Sequence, residues 1–160
     1  MSKSLKRVRA ALQAAGANAD IRETALSRTA PEAAAALGCA VNQIAKSIML
    51  RGDTTGEALL FITAGGQHVD LAAASLLAGE PLGKADAALI RSQTGFAIGG
   101  VSPVGHVTQT RKWFDRTLLE FDIIWAAAGT PQHVFGMDPM EMSKISNAEI
   151  SDFIQKTQIM

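Results

Sequence analysis

Cysteine is nearly absent from this chain of 160 residues, because Cys39 is the only one. A lone cysteine excludes an intrachain disulfide framework and a thiolate metal cluster, and it fits a reducing compartment. An excess of charge is also missing, since 15 lysines and arginines balance 15 aspartates and glutamates. This balance argues against a protein that coats nucleic acid by bulk electrostatics, but it leaves contact with a single RNA end open.

Long hydrophobic runs are missing too. No segment approaches the roughly 20 apolar residues that cross a bilayer. The basic, alanine-rich segment 1–17 has no cleavage pattern of a signal peptide, and we interpret it as an amphipathic helix. With 48% hydrophobic and 19% charged residues, the sequence predicts a soluble, cytoplasmic protein with a single domain over residues 1–160 and no membrane partner.

Helix and strand signals alternate without a regular βαβ rhythm. The spacing of Leu5, Val8 and Leu12 predicts a helix over residues 4–15. Capping residues and stop glycines predict further helices over 29–38, 70–79, 84–95, 138–146 and 147–156, the last capped by Asn147. Apolar runs predict strands over 44–51, 57–64, 96–100, 123–128 and 133–137. This mixture is typical of an α/β or α+β domain with a mixed sheet.

Lys46 is the residue that first points to chemistry. In a strand, it shares one face with Ile44, Ile48 and Leu50. A hairpin across Gly52–Gly56 favours this strand over a helix. A lysine on an apolar face either extends its ammonium to solvent along the face or holds an anion in a cleft. The pattern alone leaves both interpretations open.

Two loops are further candidates. The segment GGVSPVGH, residues 99–106, contains glycines that let a backbone approach a ligand, and freed amides there can bind an oxyanion. The segment GTPQH, residues 129–133, could place the His133 imidazole at the rim of a cleft. Each loop is also compatible with an ordinary turn.

Other catalytic arrangements lack support in the sequence. There is no GxGxxG motif, no Walker lysine and no GxSxG elbow around Ser102. The three histidines and Cys39 have no metal-ligand spacing, so we expect no metal and no cofactor.

Four segments in this order closely resemble the YbaK-like family, which is related to the editing domain of bacterial prolyl-tRNA synthetases. They are LGCAVNQIAKSIML, DLAAASLLAG, TGFAIGGVSPVGH and AAAGTPQHVFGMDP. The resemblance covers the chain from about Thr29 to the predicted C-terminal helix, and the QIAKS and GGVSPVGH blocks are its most specific parts. It implies a compact α/β fold in which helices surround a mixed, barrel-like sheet.

The resemblance implies a freestanding aminoacyl-tRNA deacylase. Lys46 matches the lysine that family members need for activity, and it would meet the phosphate of the terminal adenosine. Gly99, Gly100, Val101, Ser102 and Pro103 match the loop that lines the pocket. Gly129 matches a glycine on the opposite wall, and His133 resembles a histidine that tunes the choice of side chain in the synthetase-inserted relatives.

The expected substrate is the acceptor end of mischarged tRNA, by default tRNA(Pro) carrying cysteine, 2-aminobutyrate or alanine. The resemblance allows a partnership with prolyl-tRNA synthetase or an elongation factor, and DNA is not expected as a partner. A rival hypothesis is a binding module that holds a tRNA 3′ end or a small aminoacyl ligand without turnover.

Overall fold

An eight-stranded mixed sheet forms the centre of the molecule in the computed structural model, which describes residues 2–17 and 19–156. The helices are α1 (Lys3–Ala14), α2 (Ala30–Leu37), α3 (Leu71–Ala78), α4 (Ala87–Thr94) and α5 (Pro139–Ile145). The strands are β1 (Asp20–Glu23), β2 (Ile44–Gly52), β3 (Ala58–Ala64), β4 (Leu82–Lys84), β5 (Lys112–Asp115), β6 (Ile124–Thr130), β7 (His133–Met137) and β8 (Glu149–Ser151). The predicted fold class, a mixed sheet with surrounding helices, is confirmed.

The sheet runs in the order β1-β7-β6-β2-β3-β5-β8, and β4 pairs with β2 beside this path. The predicted hairpin is present, because β2 and β3 pair antiparallel from Ala45–Ala64 to Arg51–Ala58. The pairs β2–β6, β3–β5 and β5–β8 are parallel. These parallel pairs join segments that are distant in the sequence, so the centre of the sheet depends on long-range contacts.

Side chains of β2 alternate between the two faces of the sheet, as the strand interpretation requires. Ala45 and Met49 pack in the main core with α1 and α4. Ile44 packs on the other face with Ala34 of α2, and Ile48 packs there in a separate cluster that includes residues of α3. Lys46 therefore lies on an apolar face, between two helix-covered patches.

Predicted helix ends agree well with local capping. Thr29 accepts a hydrogen bond from the Glu32 amide at 3.2 Å, and α2 ends at Gly38 with φ +69°. Asp70 caps α3 through the Ala72 and Ala73 amides, and α3 ends at Gly79 in the same left-handed conformation. None of the described helices is long and apolar enough to cross a bilayer.

Two predicted elements are wrong. Residues 96–100 form a turn instead of a strand, because Gly99 has φ +92° and the Gly100 amide donates to the Ala97 carbonyl at 3.1 Å. Residues 147–156 do not form a helix. Asn147 adopts φ +57°, a left-handed conformation instead of a helix cap, and the next residues add β8 alongside β5.

The long connection between α4 and β5 is held by a polar chain centred on His106. The His106 Nε2 atom lies 2.6 Å from the Ser102 carbonyl oxygen, and its Nδ1 lies 2.9 Å from Thr110 Oγ1. Burial, and after it the positive charges of Lys112 and Arg7, together lower the pKa of His106 to about 4, although the Ser102 hydrogen bond opposes them. The folded protein therefore holds this imidazole neutral near physiological pH.

We predict that folding stability falls as the pH drops from about 6.5 to 4. In this window the unfolded chain protonates His106 and the folded chain does not, so the unfolded state binds more protons. The loss approaches about 3 kcal/mol below the window, from roughly 1.4 kcal/mol per pKa unit. Urea unfolding at several pH values would measure it.

His106→Gln is the matched variant for this measurement, since glutamine does not titrate. The difference in unfolding free energy between wild type and variant should change across the window. A difference that stays constant from pH 7 to pH 4 would contradict the prediction.

Candidate active site

A cleft opens where β2 and β6 diverge. The two strands pair only at Ile44–Trp125 and Ala45–Ala126. Beyond this point β6 continues beside β7, and β2 acquires β4 as its neighbour only from Leu50 onward. In the described part of the chain, residues 46–49 have no strand partner on that edge, and a cavity of about 460 Å³ lies there. This volume is in the range of small-ligand sites.

The cavity is apolar at its inner end and basic nearer its mouth. Its inner wall includes buried side chains of Ala45, Ile90, Val101 and Ala126. The charged or imidazole side chains that line it are Arg28, Lys46 and His133. No aspartate or glutamate among the described residues lines the cavity, so it suits an anionic or electron-rich ligand.

Lys46 extends from β2 into this cavity. Its Nζ donates to the Gly65 carbonyl at 3.3 Å. An ammonium has three N–H groups, so two remain for a ligand. Partial burial lowers the pKa of Lys46, and the negative charge of Asp115 acts in the opposite direction. Lys46 thus lies at a cleft, as the second interpretation of the sequence requires, and its role as an anion holder stays a prediction.

Asp115 supports Lys46 from the neighbouring strands. Its carboxylate is almost fully buried, with 1% of the residue exposed, and it accepts hydrogen bonds from the amides of Ala64 at 3.0 Å and Thr117 at 2.9 Å. Ala64 directly precedes Gly65, the partner of the Lys46 ammonium. The Asp115 carboxylate thus provides the Lys46 ammonium with a counter-charge within the sheet.

The loop after α4 forms the facing wall. The Ser47 hydroxyl donates to the Val101 carbonyl at 2.8 Å and so ties this loop to β2. Gly99 and Val101 both line the cavity, and their amides donate to no described protein group. These two backbone N–H groups therefore have no partner among the described residues, and an acceptor atom of a ligand that reached both would be held as in an oxyanion site.

Gly100 allows this loop to pack against β6, and Gly129 allows α1 to pack against the same strand. A Cβ atom on Gly100 would lie 2.9 Å from Thr130 Cα, and one on Gly129 would lie 2.7 Å from the Ser4 carbonyl oxygen of α1. Gly129 also has φ +98°, at the register shift of β6. Both glycines therefore serve close backbone packing behind the cavity wall.

The residues predicted from the sequence divide into two groups. Those that line the cavity are Lys46, Gly99, Val101 and His133; those that lie behind its wall are Gly100, Ser102, Pro103 and Gly129. Ser102 is fully buried, and its hydroxyl accepts the Val104 amide at 3.2 Å. Pro103 lines a separate surface cleft on the other side of the loop.

His133 is held at the rim by its neighbour. Its Nδ1 lies 2.7 Å from Thr130 Oγ1, and the same hydroxyl oxygen accepts the Gln132 amide at 3.1 Å. Because that oxygen already accepts one hydrogen bond, its own proton is available for Nδ1. In this tautomer the Nε2–H group is the free donor of the ring.

Sequence reasoning missed several cavity residues. Trp125 lies in a predicted strand, but the position of its ring depends on two residues of other strands. A Cβ atom on Gly136 would lie 2.8 Å from the ring, and the Arg22 guanidinium lies 4.7 Å from the ring centre. Arg28 directly precedes the Thr29 cap, and the turn at Ile98 was predicted as a strand. The one signal in the sequence was the alternation of side chains in the two predicted strands, which could have placed Ile44 and Trp125 on the same face of the sheet.

The described residues contain no group of three or more histidine, cysteine, aspartate or glutamate side chains that could hold a metal ion. Cys39 is partly exposed, and burial raises the pKa of its thiol. A raised pKa disfavours the thiolate, so this cysteine is a poor nucleophile.

Comparison with known proteins gives a consistent result. Residues 24–145 match the family model of the aminoacyl-tRNA editing domain. The structure is similar to that of "a putative trans-editing enzyme for prolyl tRNA synthetase", with a TM-score of 0.90 and 40% identity over 98% of this chain and 99% of that chain. It is also similar to the hypothetical protein APE2540, with a TM-score of 0.85 and 25% identity over 93% of this chain and 99% of that chain.

A sequence relative comes from Bacillus subtilis (strain 168). The uncharacterized protein YwhH is 28% identical over 124 residues, which cover 78% of each chain. The family match spans most of the chain and includes both Lys46 and the loop that faces it. The resemblance to YbaK-like proteins is thereby confirmed, and the chain belongs to the aminoacyl-tRNA editing domain family.

Proposed function

We propose that this protein is a freestanding trans-editing deacylase that hydrolyses the ester of mischarged tRNA(Pro) carrying cysteine, 2-aminobutyrate or alanine. Membership of the editing-domain family supports aminoacyl-tRNA deacylase activity. The observation that carries the proposal is the pairing of Lys46 with two free loop amides across one cavity that no described carboxylate lines. A phosphate needs the cation, and an ester carbonyl needs the amides.

The proposed reaction is ester hydrolysis by water. A water oxygen attacks the carbonyl carbon, and the amides of Gly99 and Val101 stabilise the oxyanion that forms. The bond to the ribose oxygen then breaks, and a proton from the attacking water ends on that ribose oxygen. No carboxylate of residues 2–17 and 19–156 lines the cavity to act as a base, so we assign proton transfer to the ribose hydroxyl or α-amine of the substrate. Much of the rate then comes from positioning, because the ester is already activated.

Lys46 has the role of an anion holder in this scheme. Two of its three ammonium protons face away from Gly65 and can bind the phosphate of the terminal adenosine. Arg28 adds positive charge to the cavity. Few phosphate contacts are needed, which suits a chain with zero net charge.

We predict that Lys46→Ala lowers kcat/KM for a mischarged tRNA(Pro) by about 100-fold, because a charge-assisted contact is lost in a partly buried site. Lys46→Arg should stay strongly impaired, since a guanidinium cannot reproduce the compact contact at 3.3 Å to the Gly65 carbonyl. Single-turnover deacylation of alanyl-, cysteinyl-, 2-aminobutyryl- and prolyl-tRNA(Pro) would measure both effects.

Lys84→Ala is the matched control for this series. Lys84 is exposed on β4, which pairs with the same strand as Lys46 but does not line the cavity. Equal activity in Lys46→Ala and Lys84→Ala would overturn the assignment of Lys46. If the wild type hydrolysed no species yet bound an aminoacyl analogue, the protein would be a binding module.

We also predict that Met49→Ala weakens discrimination by size. Met49 is partly buried and lines the cavity, so truncation enlarges the space for the amino-acid side chain. A methylene in an apolar pocket is worth roughly 1–3 kcal/mol. Hydrolysis of prolyl-tRNA(Pro) relative to alanyl-tRNA(Pro) should therefore rise by about tenfold or more, as measured by the ratio of single-turnover rates.

Met140→Ala controls for the loss of a methionine side chain. Met140 is 45% exposed on α5 and does not line the cavity. The size hypothesis fails if Met49→Ala retains the wild-type ratio of the two rates, or if Met140→Ala changes the ratio equally.

A further inference from the structure

The loop that faces Lys46 is clamped at two consecutive carbonyls. The Val101 carbonyl accepts from Ser47 Oγ at 2.8 Å, and the Ser102 carbonyl lies 2.6 Å from His106 Nε2. The first clamp comes from β2, and the second comes from the end of the loop itself. The free Val101 amide lies directly before these two anchored peptides, so its direction depends on both.

The hydrogen bonds of His106 define its protonation. A carbonyl oxygen only accepts, so Nε2 carries the proton, and Nδ1 accepts from the Thr110 hydroxyl at 2.9 Å. Thr110 Oγ1 in turn accepts from Gln93 Nε2 at 3.3 Å. Gln93 exchanges two hydrogen bonds with the backbone of Ala58, at 2.6 and 2.8 Å. The chain thus links the loop to the first residue of β3.

Packing holds the imidazole ring from the side. The ring meets Phe96 edge to face, with 5.5 Å between centroids, and the guanidinium of Arg7 lies 4.7 Å from the Phe96 ring centre. Arg7 also donates to the carbonyls of Gly95 and Gly105 on either side of the loop. The ring therefore has one orientation, in which its Nε2–H points at the Ser102 carbonyl.

We propose that His106 is a positioning residue of the deacylase: through the Ser102 carbonyl, it aims the Val101 amide at the oxyanion of the reacting ester. This inference rests on the proposed function. His106 does not line the cavity, so it acts only through the loop. The charged groups that act on it are Lys112 and Arg7, both cationic, and no carboxylate is among them. Burial of the ring, and after it these two positive charges, favour its neutral form, which is the form that matches the hydrogen bonds.

The test compares His106→Ala with His106→Gln. The glutamine amide can donate to the Ser102 carbonyl, whereas alanine cannot. In single-turnover deacylation at saturating enzyme, we expect His106→Ala to lower the rate constant by about 10- to 100-fold, as for a misplaced catalytic group. In the same assay with varied enzyme, the concentration that gives half of the maximal rate should change by less than about threefold. His106→Gln should recover most of the rate.

Phe153→Leu provides a control for lost stability. Phe153 is fully buried in the core cluster that includes residues of α3, beside Phe61 and Trp113, and does not line the cavity. A wild-type rate in His106→Ala would overturn the proposal. An equally slow Phe153→Leu variant of matched stability would overturn it too, because the effect would then be one of stability.

An activity-independent readout separates this proposal from the proposed function. The amide resonance of Val101 in ¹H–¹⁵N NMR spectra should move in His106→Ala and return towards its wild-type position in His106→Gln. If the wild type deacylates no tRNA but Val101 behaves in this way, the loop-positioning inference stands and the deacylase function fails. An unchanged Val101 resonance in His106→Ala would refute the positioning role.

Discussion

The divergence of β2 and β6 is the constraint on which the site depends. Two pairs of residues join these strands, and then each turns to a different neighbour. A sheet that loses a ladder leaves backbone groups unpaired, which is costly unless something replaces the missing strand. Here the loop after α4 lies against this edge, where the Ser47 hydroxyl donates to the Val101 carbonyl. The remaining gap is the cavity.

The electrostatics of the cavity follow from the same arrangement. Lys46, Thr63 and Asp115 lie side by side on β2, β3 and β5, since Lys46 pairs with Thr63 and the β3–β5 register places Asp115 next to Thr63. The lysine at the open edge faces the cavity, while the carboxylate is buried and engaged by amides. The site therefore presents the ammonium to a ligand, while its counter-charge lies buried in the sheet and does not line the cavity.

Elements of the fold that depend on contacts between residues close in the sequence could be predicted, and elements that depend on distant residues could not. Local signals predicted α2, α3, α4 and the β2–β3 hairpin, because capping residues and alternation act within a few residues. The strand predicted at 96–100 failed because Gly95 and Gly99 take left-handed conformations that an apolar run does not reveal. The helix predicted over 147–156 is wrong because this segment forms β8 by pairing with β5. The sequence did not predict β5, because that strand is short and rich in charged residues.

The candidate site shows the same division. The strand alternation places Lys46 on an apolar face, and the glycine content of the loop predicts backbone donors, which stays a prediction. The sequence does not show which predicted residues line the cavity and which lie behind its wall, because this depends on how α1 and the loop pack on β6. The first group is Lys46, Gly99, Val101 and His133, and the second is Gly100, Ser102, Pro103 and Gly129. Likewise, Trp125 lines the cavity because of glycine and arginine neighbours on two other strands.

The most direct test of the account is an NMR titration with a non-hydrolysable aminoacyl-adenosine 5′-phosphate analogue, in which an amide replaces the ester. The account predicts that the ligand shifts the amide resonances of Gly99 and Val101 and the Nζ resonance of Lys46 together. Shifts confined to the cleft around Pro103 and Asn147, or no binding at all, would contradict the assignment of the β2–β6 cleft as the editing site.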